Sequence, residues 1–197
     1  MAISAADVKA LRERTGAGMM DCKKALKESN GDVDQAIDYL RKVGMAAASK
    51  RAHREAAQGR VEVYMHPGNQ VGVLLEVNSE TDFVARTDDF IEFCHEVAMH
   101  IAAAKPLAVS QDELDQQAIN KEREILTEQV KISGKPEAVW EKIVDGRMNK
   151  FYEESCLLEQ PWVRDPKQKI EDMRKSISGK MGENIVIKRF SLFQVGQ

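Results

Sequence analysis

Length, composition and charge limit what this chain can be. Its 197 residues are enough for one domain, or for a small domain beside a larger one. With 43% hydrophobic and 31% charged residues, the chain has enough apolar surface to form a core, which excludes wholesale disorder. A formal net charge of -3 and a pI near 5.9 argue against a protein whose main task is to neutralise nucleic-acid phosphates.

The charge is unevenly distributed. Residues 1–55 carry 11 Lys or Arg against 8 Asp or Glu, whereas the remainder carries 18 against 24. This polarity could orient an encounter with a charged protein, although a solvated helix surface explains it equally well.

Cysteine usage and hydropathy indicate the compartment. Cys22, Cys94 and Cys156 are odd in number and far apart, which predicts neither a disulfide framework nor a zinc site. No basic-then-apolar leader opens the chain, and no window approaches the roughly 20 apolar residues needed to cross a bilayer. We therefore expect a cytoplasmic protein that does not bind membranes.

The first 55 residues predict three short helices. Ser4 and Asp7 form a capping-box pattern before the first helix, and Thr15–Gly18 interrupts the helical pattern where glycine tolerates a positive φ. Asp32 and the glutamine three residues later form a second capping box, before the third helix. The Ala-rich, basic stretch that follows reads as a helical or flexible tether to the rest of the chain.

Beyond the tether, the apolar period changes from helical to two. The alternating stretches 61–65 and 71–77 flank turn chemistry at His66–Asn69, which predicts a β-hairpin. An isolated hairpin is only marginally stable, so it needs a third strand or a helical cover. The chain offers both, because Ile185–Val195 is strand-like and Thr87 can cap an amphipathic helix.

Two long helical patterns, Asp112–Ile132 and Pro136–Ser155, are separated by only three residues, which predicts an antiparallel pair. Its charged outer part suggests that the pair projects from the body. A last helix is predicted to begin at Asp165-Pro166, with Gln168 completing a capping box. Strands with segregated helices indicate an α+β fold, with domains at 1–55 and 56–197.

Motifs for catalysis are missing from the sequence. There is no Gly-rich phosphate loop, nucleophile elbow or Cys/His dyad signature. His95 and His100 are five apart and point about 140° away from each other around a helix, which does not suit a shared metal ion. We therefore predict no enzymatic activity, no cofactor and no metal.

The segment Glu76–Arg86 has two interpretations. It runs from a hairpin strand into a polar loop that contains Phe83 just before the next helix. Phe83 and Val84 could fold back under that helix as a hydrophobic staple, since apolar residues are usually buried in their own chain. Alternatively, Phe83 is an exposed anchor that enters the pocket of a partner.

Two long motifs resemble the signatures of the elongation factor Ts family. Leu11–Leu26 is similar to the first signature, and Glu76–Arg86 is similar to the second. Shorter matches extend the resemblance over essentially the whole chain: Gly134-Lys135-Pro136, Gly146-Arg147-Met148, Gln160-Pro161-Trp162-Val163 and Gly182-Glu183-Asn184-Ile185.

The resemblance implies a fold and a function. Residues 1–55 would form a ubiquitin-associated (UBA)-like three-helix module, followed by a core with a three-stranded antiparallel sheet, covering helices and the helical hairpin 112–155. The implied function is guanine-nucleotide exchange on elongation factor Tu. In this role the protein would bind the GDP-bound and the nucleotide-free GTPase, without acting as an enzyme or binding nucleic acid directly.

The resemblance also assigns roles to single residues. Phe83 would wedge behind the phosphate loop of the GTPase, and Asp82 would help to dislocate its Mg²⁺, while Thr81 and Val84 would hold the presentation.

In the N-terminal module, the resemblance gives Met19 and Met20 as contacts with a helix of the GTPase, and flexible apolar side chains suit that role. The alternative is that one of them belongs to the core. His66, at the hairpin turn, matches a position that faces the GTPase, although a solvent-facing turn residue would look identical.

Longer family members carry a duplicated core, whereas this chain has one hairpin. We therefore expect a symmetric homodimer with the sheet of each copy in the interface. Ser191 offers no thiol in the last strand, so no disulfide is expected there.

Two other classes remain as alternatives. A general helical adaptor based on residues 1–55 leaves the rest of the chain without a purpose. A metal-dependent or hydrolytic enzyme lacks a recognisable set of catalytic residues.

Overall fold

The computed structural model describes residues 3–196 and has an α+β fold, which confirms the predicted class. The α-helices of this part are α1 (Ala5–Thr15), α2 (Met19–Glu28), α3 (Val33–Arg51), α4 (Asp82–Ala85), α5 (Asp88–Ala104), α6 (Gln116–Ile132), α7 (Trp140–Ser155) and α8 (Ile170–Met181). Its strands are β1 (Gln58–Met65), β2 (Val71–Ser79), β3 (Pro161–Trp162), β4 (Asp165–Lys169) and β5 (Val186–Gln194). The main sheet is three-stranded with the order β1-β2-β5, and β3 pairs with β4.

The chain divides into two compact units, each built from three stretches. The first unit comprises Met1–Arg60, Asn78–Ile91 and Asp172–Val186. The second unit comprises Val61–Val77, Glu92–Glu171 and Ile187–Gln197. The domain boundary predicted between residues 55 and 56 remains a prediction.

In the first unit, α1, α2 and α3 enclose a small core, and the three helices fit the expected UBA-like module. The helix ends follow the sequence: Ser4 and Asp7 form the capping box of α1, Gly16 ends α1 at φ 67°, and the Asp32 side chain accepts a hydrogen bond at the start of α3. The core consists of small and branched side chains: Val8, Leu11, Cys22, Ala25, Leu26 and Ala36. So small a core gives the module limited stability by itself.

Helix α3 continues beyond the three-helix core and meets α8 where two glycines touch. A Cβ atom added to Gly179 would lie 2.8 Å from the Gly44 Cα and carbonyl carbon, closer than real Cβ atoms come to backbone. One residue further along α8, the side chain of Lys180 covers Gly16 and its Nζ lies 2.6 Å from Asp89 Oδ1. Helix α8 therefore contacts both the tether and the turn before α2.

In the second unit, the two faces of the sheet differ. Val73, Leu75 and Val77 of β2 are fully buried, and Glu62 of β1 points to the same side as α5, where its Oε1 lies 3.3 Å from His95 Nδ1. The opposite face has no such cover within the described part of the chain. Its apolar side chains are more than 40% exposed: Val61, Val63, Met65, Leu74 and Phe193.

Helices α6 and α7 pair along their own small core of Leu126, Val130, Val144 and Met148, which confirms the predicted helical hairpin. Both helices begin later than predicted, because Gln111–Glu113 and Glu137–Val139 form single 3₁₀ turns instead.

The prediction of a helix from Asp165-Pro166 was wrong. Residues 165–169 form β4, antiparallel to β3, and α8 begins only at Ile170. Asp165 does cap locally, but it accepts from the Lys167 N–H, as in a turn. Lys169 lies 3.3 Å from both Glu153 and Glu159, and such tertiary contacts overrule a local capping pattern.

A histidine is fully buried in the second unit. His100 Nδ1 accepts a hydrogen bond from the Val163 N–H (3.3 Å), so Nε2 is the protonated nitrogen and donates to Gln160 Oε1 at 2.9 Å. Burial lowers the pKa of His100 below its ordinary value of 6.5, against the opposing effect of the Gln160 hydrogen bond. The neutral ring is therefore part of the folded core.

The glycine crossing predicts opposite effects for two Gly→Ala substitutions. Gly179→Ala should lower the free energy of unfolding by about 1–3 kcal/mol, because the new methyl group overlaps the Gly44 backbone. Gly146→Ala, in the same helical setting but with no atom within 4 Å of the new Cβ, should raise it by about 0.5–1 kcal/mol. Denaturant unfolding of both variants measures the difference, and equal effects would contradict the close crossing.

His100 predicts a loss of stability in mild acid. The folded-state pKa lies below the unfolded value, so stability is complete above about pH 6.5 and falls as pH decreases toward the folded pKa, because only the unfolded chain gains the proton. Unfolding free energies measured across this range for the wild type and for His100→Gln test the effect. The variant should show a shallower slope whatever its absolute stability, and an unchanged slope would assign the acid sensitivity to other groups.

Candidate functional site

The segment Thr81–Val84 presents a phenylalanine to solvent. Helix α4 is a single turn that follows β2, and Thr81 immediately precedes it in extended conformation. Ala85 is buried, whereas Phe83 is 78% exposed. The hydrophobic-staple interpretation of Phe83 is therefore wrong, since Ala85 is the buried residue of this turn and the Phe83 ring lies in water.

Hydrogen bonds on both sides fix the backbone of this segment. The Ser79 hydroxyl donates to the Thr81 carbonyl (2.8 Å), and the Thr87 hydroxyl donates to the Val84 carbonyl (2.8 Å). Glu183 accepts from both the backbone N–H and the hydroxyl of Thr81, at 3.1 and 2.6 Å. The aromatic ring is thus free while the chain that carries it is tied down.

Asp82 is paired within its own turn. Its Oδ2 accepts from Arg86 Nη2 at 2.7 Å, and the side chains of both residues are about half or more exposed. Exposed pairs of this kind contribute at most about 1 kcal/mol, so a competing cation or donor can replace Arg86 at little cost.

Met19 and Met20 begin α2 and are 47% and 74% exposed. Cys22, Ala25 and Leu26 are the residues of this helix that are fully buried in the core of the module, and neither methionine belongs to that core. The alternative that one of the two methionines belongs to the core is therefore not what the structure shows. Both belong to the same compact unit as Thr81–Val84.

His66 lies in the second unit, at the turn between β1 and β2. Its backbone N–H closes the turn onto the Val71 carbonyl, and its Nδ1 is 3.1 Å from the Tyr64 hydroxyl. The Tyr64 ring in turn stacks edge-on against His95, with ring centroids 5.5 Å apart. The imidazole is exposed but held by an aromatic neighbour.

Glu183 and Asn184 support the site, although no local sequence pattern predicts a role for them. Their only signal was the Gly182–Ile185 motif, which matched the family without suggesting a contact. The contact joins residues 102 positions apart, and no local pattern in a single sequence reveals such a pair.

The chemistry available in the described residues is limited. No group of three or more His, Cys, Asp or Glu in residues 3–196 is arranged to hold a metal ion. Burial, with a smaller contribution from Glu159 and Glu113, raises the pKa of the Cys156 thiol to about 11, so this thiol stays protonated at neutral pH. Within the same range, none of the helices has the length and apolar character needed to span a bilayer.

The fold and these exposed apolar side chains define a class: an α+β protein that displays Phe and Met on an ordered surface, as proteins that bind other proteins do. Comparison with known proteins then gives the family. The family model described as "Elongation factor TS" matches residues 5–197.

Similar curated proteins match this chain over nearly their whole length. The "Elongation factor Ts" of Moorella thermoacetica is 53% identical over 99% of this chain and 96% of its own length. The protein of that name from Herpetosiphon aurantiacus is 54% identical over 100% and 99%, and that of Thermosipho melanesiensis is 53% identical over 99% and 100%. The chain belongs to the elongation factor Ts family, in a short form.

Proposed function

We propose that this protein is the guanine-nucleotide exchange factor of elongation factor Tu and acts in the cytoplasm during translation elongation. It binds the GDP-bound GTPase, weakens the hold on GDP and Mg²⁺, and leaves a nucleotide-free complex that GTP can enter. The observation that supports this most directly is Phe83, an aromatic side chain that is 78% exposed on a backbone fixed by hydrogen bonds.

An exposed aromatic on an ordered turn is suited to act as a wedge. A phenylalanine that moves from water into a partner's pocket gains about 1.5–3 kcal/mol of burial free energy. Because the backbone around Phe83 is already ordered, little of this gain is lost to immobilising the chain. Thr81 and Val84 serve this presentation by anchoring the two ends of the turn.

Asp82 supplies charge where the GTPase holds its metal. Carboxylate oxygens are ligands that Mg²⁺ prefers, so an aspartate brought next to the ion disturbs its coordination to GDP. In the free protein, Arg86 neutralises Asp82 in an exposed pair that is easily exchanged. This arrangement allows Asp82 to leave its arginine when the partner arrives.

Exchange requires that GDP and this protein each weaken the binding of the other to the GTPase. If this protein lowers the affinity for GDP, GDP lowers the affinity for this protein by the same factor, and a thousandfold effect corresponds to about 4 kcal/mol. The burial of one phenylalanine does not reach that value. The remaining coupling must come from Asp82 and from contacts elsewhere.

Met19 and Met20 provide the second point of contact in the same unit. Their exposed, unbranched side chains adapt to a helical partner surface. His66 provides a further contact from the hairpin turn of the second unit. The net charge of -3 gives no reason to include nucleic acid among the partners.

The wedge assignment predicts a defined defect for Phe83→Ala. The variant should lower the maximum rate of GDP release by about 10- to 100-fold, because it removes burial free energy that is gained only when GDP leaves. Binding should persist through Met19, Met20 and the remaining contacts. Release of fluorescent GDP from elongation factor Tu, titrated with the variant, measures the maximum rate and the half-saturating concentration separately.

Leu107→Ala is the matched control for Phe83→Ala. Leu107 is 71% exposed and lies outside the proposed contacts, so its loss should leave the rate unchanged. A Phe83→Ala variant that exchanges GDP at the wild-type rate would show that the wedge is elsewhere. If the wild-type protein itself gives no acceleration, the proposed function is wrong.

We also propose that the protein forms a symmetric homodimer through the uncovered face of its sheet. Val63, Met65, Leu74, Phe193 and Val195 line an apolar depression on this face. In the same sheet, Arg189 Nε of β5 lies 2.7 Å from Glu76 Oε2 of β2, and a two-fold axis would present this pair from both copies. Pairing two such faces removes apolar area that a monomer leaves in water.

The dimer predicts a mass of twice 22.1 kDa at micromolar concentration. Val63→Glu should yield the monomer, because it would bury two carboxylates without partners in the interface. Ile132→Glu changes a side chain that is 84% exposed at the end of α6, and should leave the dimer intact. Sedimentation equilibrium decides between these outcomes, and a monomeric wild type would exclude the interface.

A further inference from the structure

The Glu183 carboxylate, in the C-terminal part of the chain, accepts two hydrogen bonds from Thr81, which lies two residues before Phe83. Both oxygens of Glu183 are used: Oε2 accepts from the Thr81 N–H at 3.1 Å, and Oε1 accepts from the Thr81 hydroxyl at 2.6 Å. Glu183 and Thr81 are each half-buried, so water competes only partly for these bonds. Two bonds from one rigid carboxylate fix both the position and the direction of the Thr81 backbone.

A second contact runs in the opposite sense between the same two stretches. Glu80 Oε1 accepts from the Asn184 N–H at 2.7 Å. The buried Asn184 side chain donates from Nδ2 to the carbonyl oxygens of Ala52 (3.4 Å) and Arg54 (2.7 Å). Three stretches that are remote in sequence, namely the end of the tether, the strand exit before Phe83 and the turn after α8, thus meet at residues 183–184.

The geometry of α8 fixes Glu183 itself. Gly182 adopts φ +75° and donates its N–H to the Ser178 carbonyl, which ends the helix in one defined conformation. Helix α8 is held in turn by the Gly179 crossing with α3 and by the contact between Lys180 and Asp89. Glu183 is therefore a fixed point against which the Phe83 turn is set.

We infer that Glu183 is a positioning residue for nucleotide exchange, which holds Thr81 so that Phe83 leaves the surface in the direction the wedge requires. This inference rests on the proposed function. Glu183 contacts neither Phe83 nor the partner, and it acts only through the orientation of the turn.

Loss of the hydrogen bonds between Glu183 and Thr81 should slow the step in which GDP leaves. Without the two bonds to Glu183, the turn samples several orientations, and the partner has to select the correct one when the ring enters its pocket. Docking through Met19 and Met20 does not depend on that orientation. The loss should therefore lower the maximum rate of release and leave the half-saturating concentration nearly unchanged.

Two substitutions of Glu183 and one control test the inference by titrating GDP release from elongation factor Tu. Glu183→Ala should lower the maximum rate about tenfold, the loss expected for hydrogen bonds to a charged group. Glu183→Gln should have a smaller effect, because one oxygen remains to accept while an NH₂ group faces the second Thr81 donor. Glu141→Ala, which removes an exposed carboxylate on α7, should match the wild type.

A double-mutant cycle separates positioning from a general loss of structure. If Glu183 acts through Phe83, then Glu183→Ala should slow exchange in the wild-type background and have no further effect in the Phe83→Ala background. An equal loss in both backgrounds would overturn the inference, as would a Glu183→Ala variant with the wild-type maximum rate. If Glu183→Ala does not fold, Glu183→Gln replaces it in the cycle.

Amide hydrogen exchange of the free protein tests the ordering effect of the Glu183–Thr81 hydrogen bonds without any partner. Glu183→Ala should speed exchange of the amides of residues 81–86 at least tenfold while the amides of α6 and α7 stay as in the wild type. Unchanged protection at residues 81–86 would overturn the inference even if GDP release were slowed. If the wild-type protein does not accelerate GDP release from elongation factor Tu, the proposed function is wrong. The amide-exchange result would then still show that Glu183 orders residues 81–86.

Discussion

The two hydrogen bonds between Glu183 and Thr81 join parts of the chain that are 102 residues apart, and the arrangement of the proposed partner surface depends on them. A strand exit is normally mobile, because its backbone has lost the ladder of hydrogen bonds that ordered the strand. Here the carboxylate replaces that ladder for one residue. An aromatic side chain can then stay in water without the backbone beneath it becoming disordered.

Other parts of the molecule also leave apolar side chains in water. The three-helix core and the core between α6 and α7 are both small, and a large part of the apolar surface stays outside them. In a protein that works alone, exposed apolar surface at Met20, at Phe83 and on the uncovered face of the sheet would favour aggregation. They are understandable in a chain that is proposed to function with a GTPase and with a second copy of itself.

Two polar side chains, Glu62 and His100, are buried, and the neighbours of each explain why. Glu62 lies on the helix-covered face of the sheet because His95 meets it there, while the valines beside it face outward. His100 is tolerated in the core because the Val163 N–H and Gln160 satisfy both ring nitrogens. These two hydrogen bonds fix the neutral tautomer of His100 that carries its proton on Nε2.

The sequence by itself determined the elements whose signals are local. Caps at Ser4 and Asp32, the turn at His66–Asn69 and the apolar periods predicted most helices and the hairpin, since these depend on contacts within a few residues. The motif resemblance gave the family, which the comparisons then confirmed.

Only the tertiary structure decided what depends on distant contacts. It made residues 165–169 a strand, because pairing with β3 outweighs a local cap. It left Phe83 exposed and buried the smaller Ala85 of the same turn, since burial within a single turn depends on the elements packed against it. It also brought Glu183 to Thr81, since the free energy of such a bond arises only when the chain has folded and brought the two groups together.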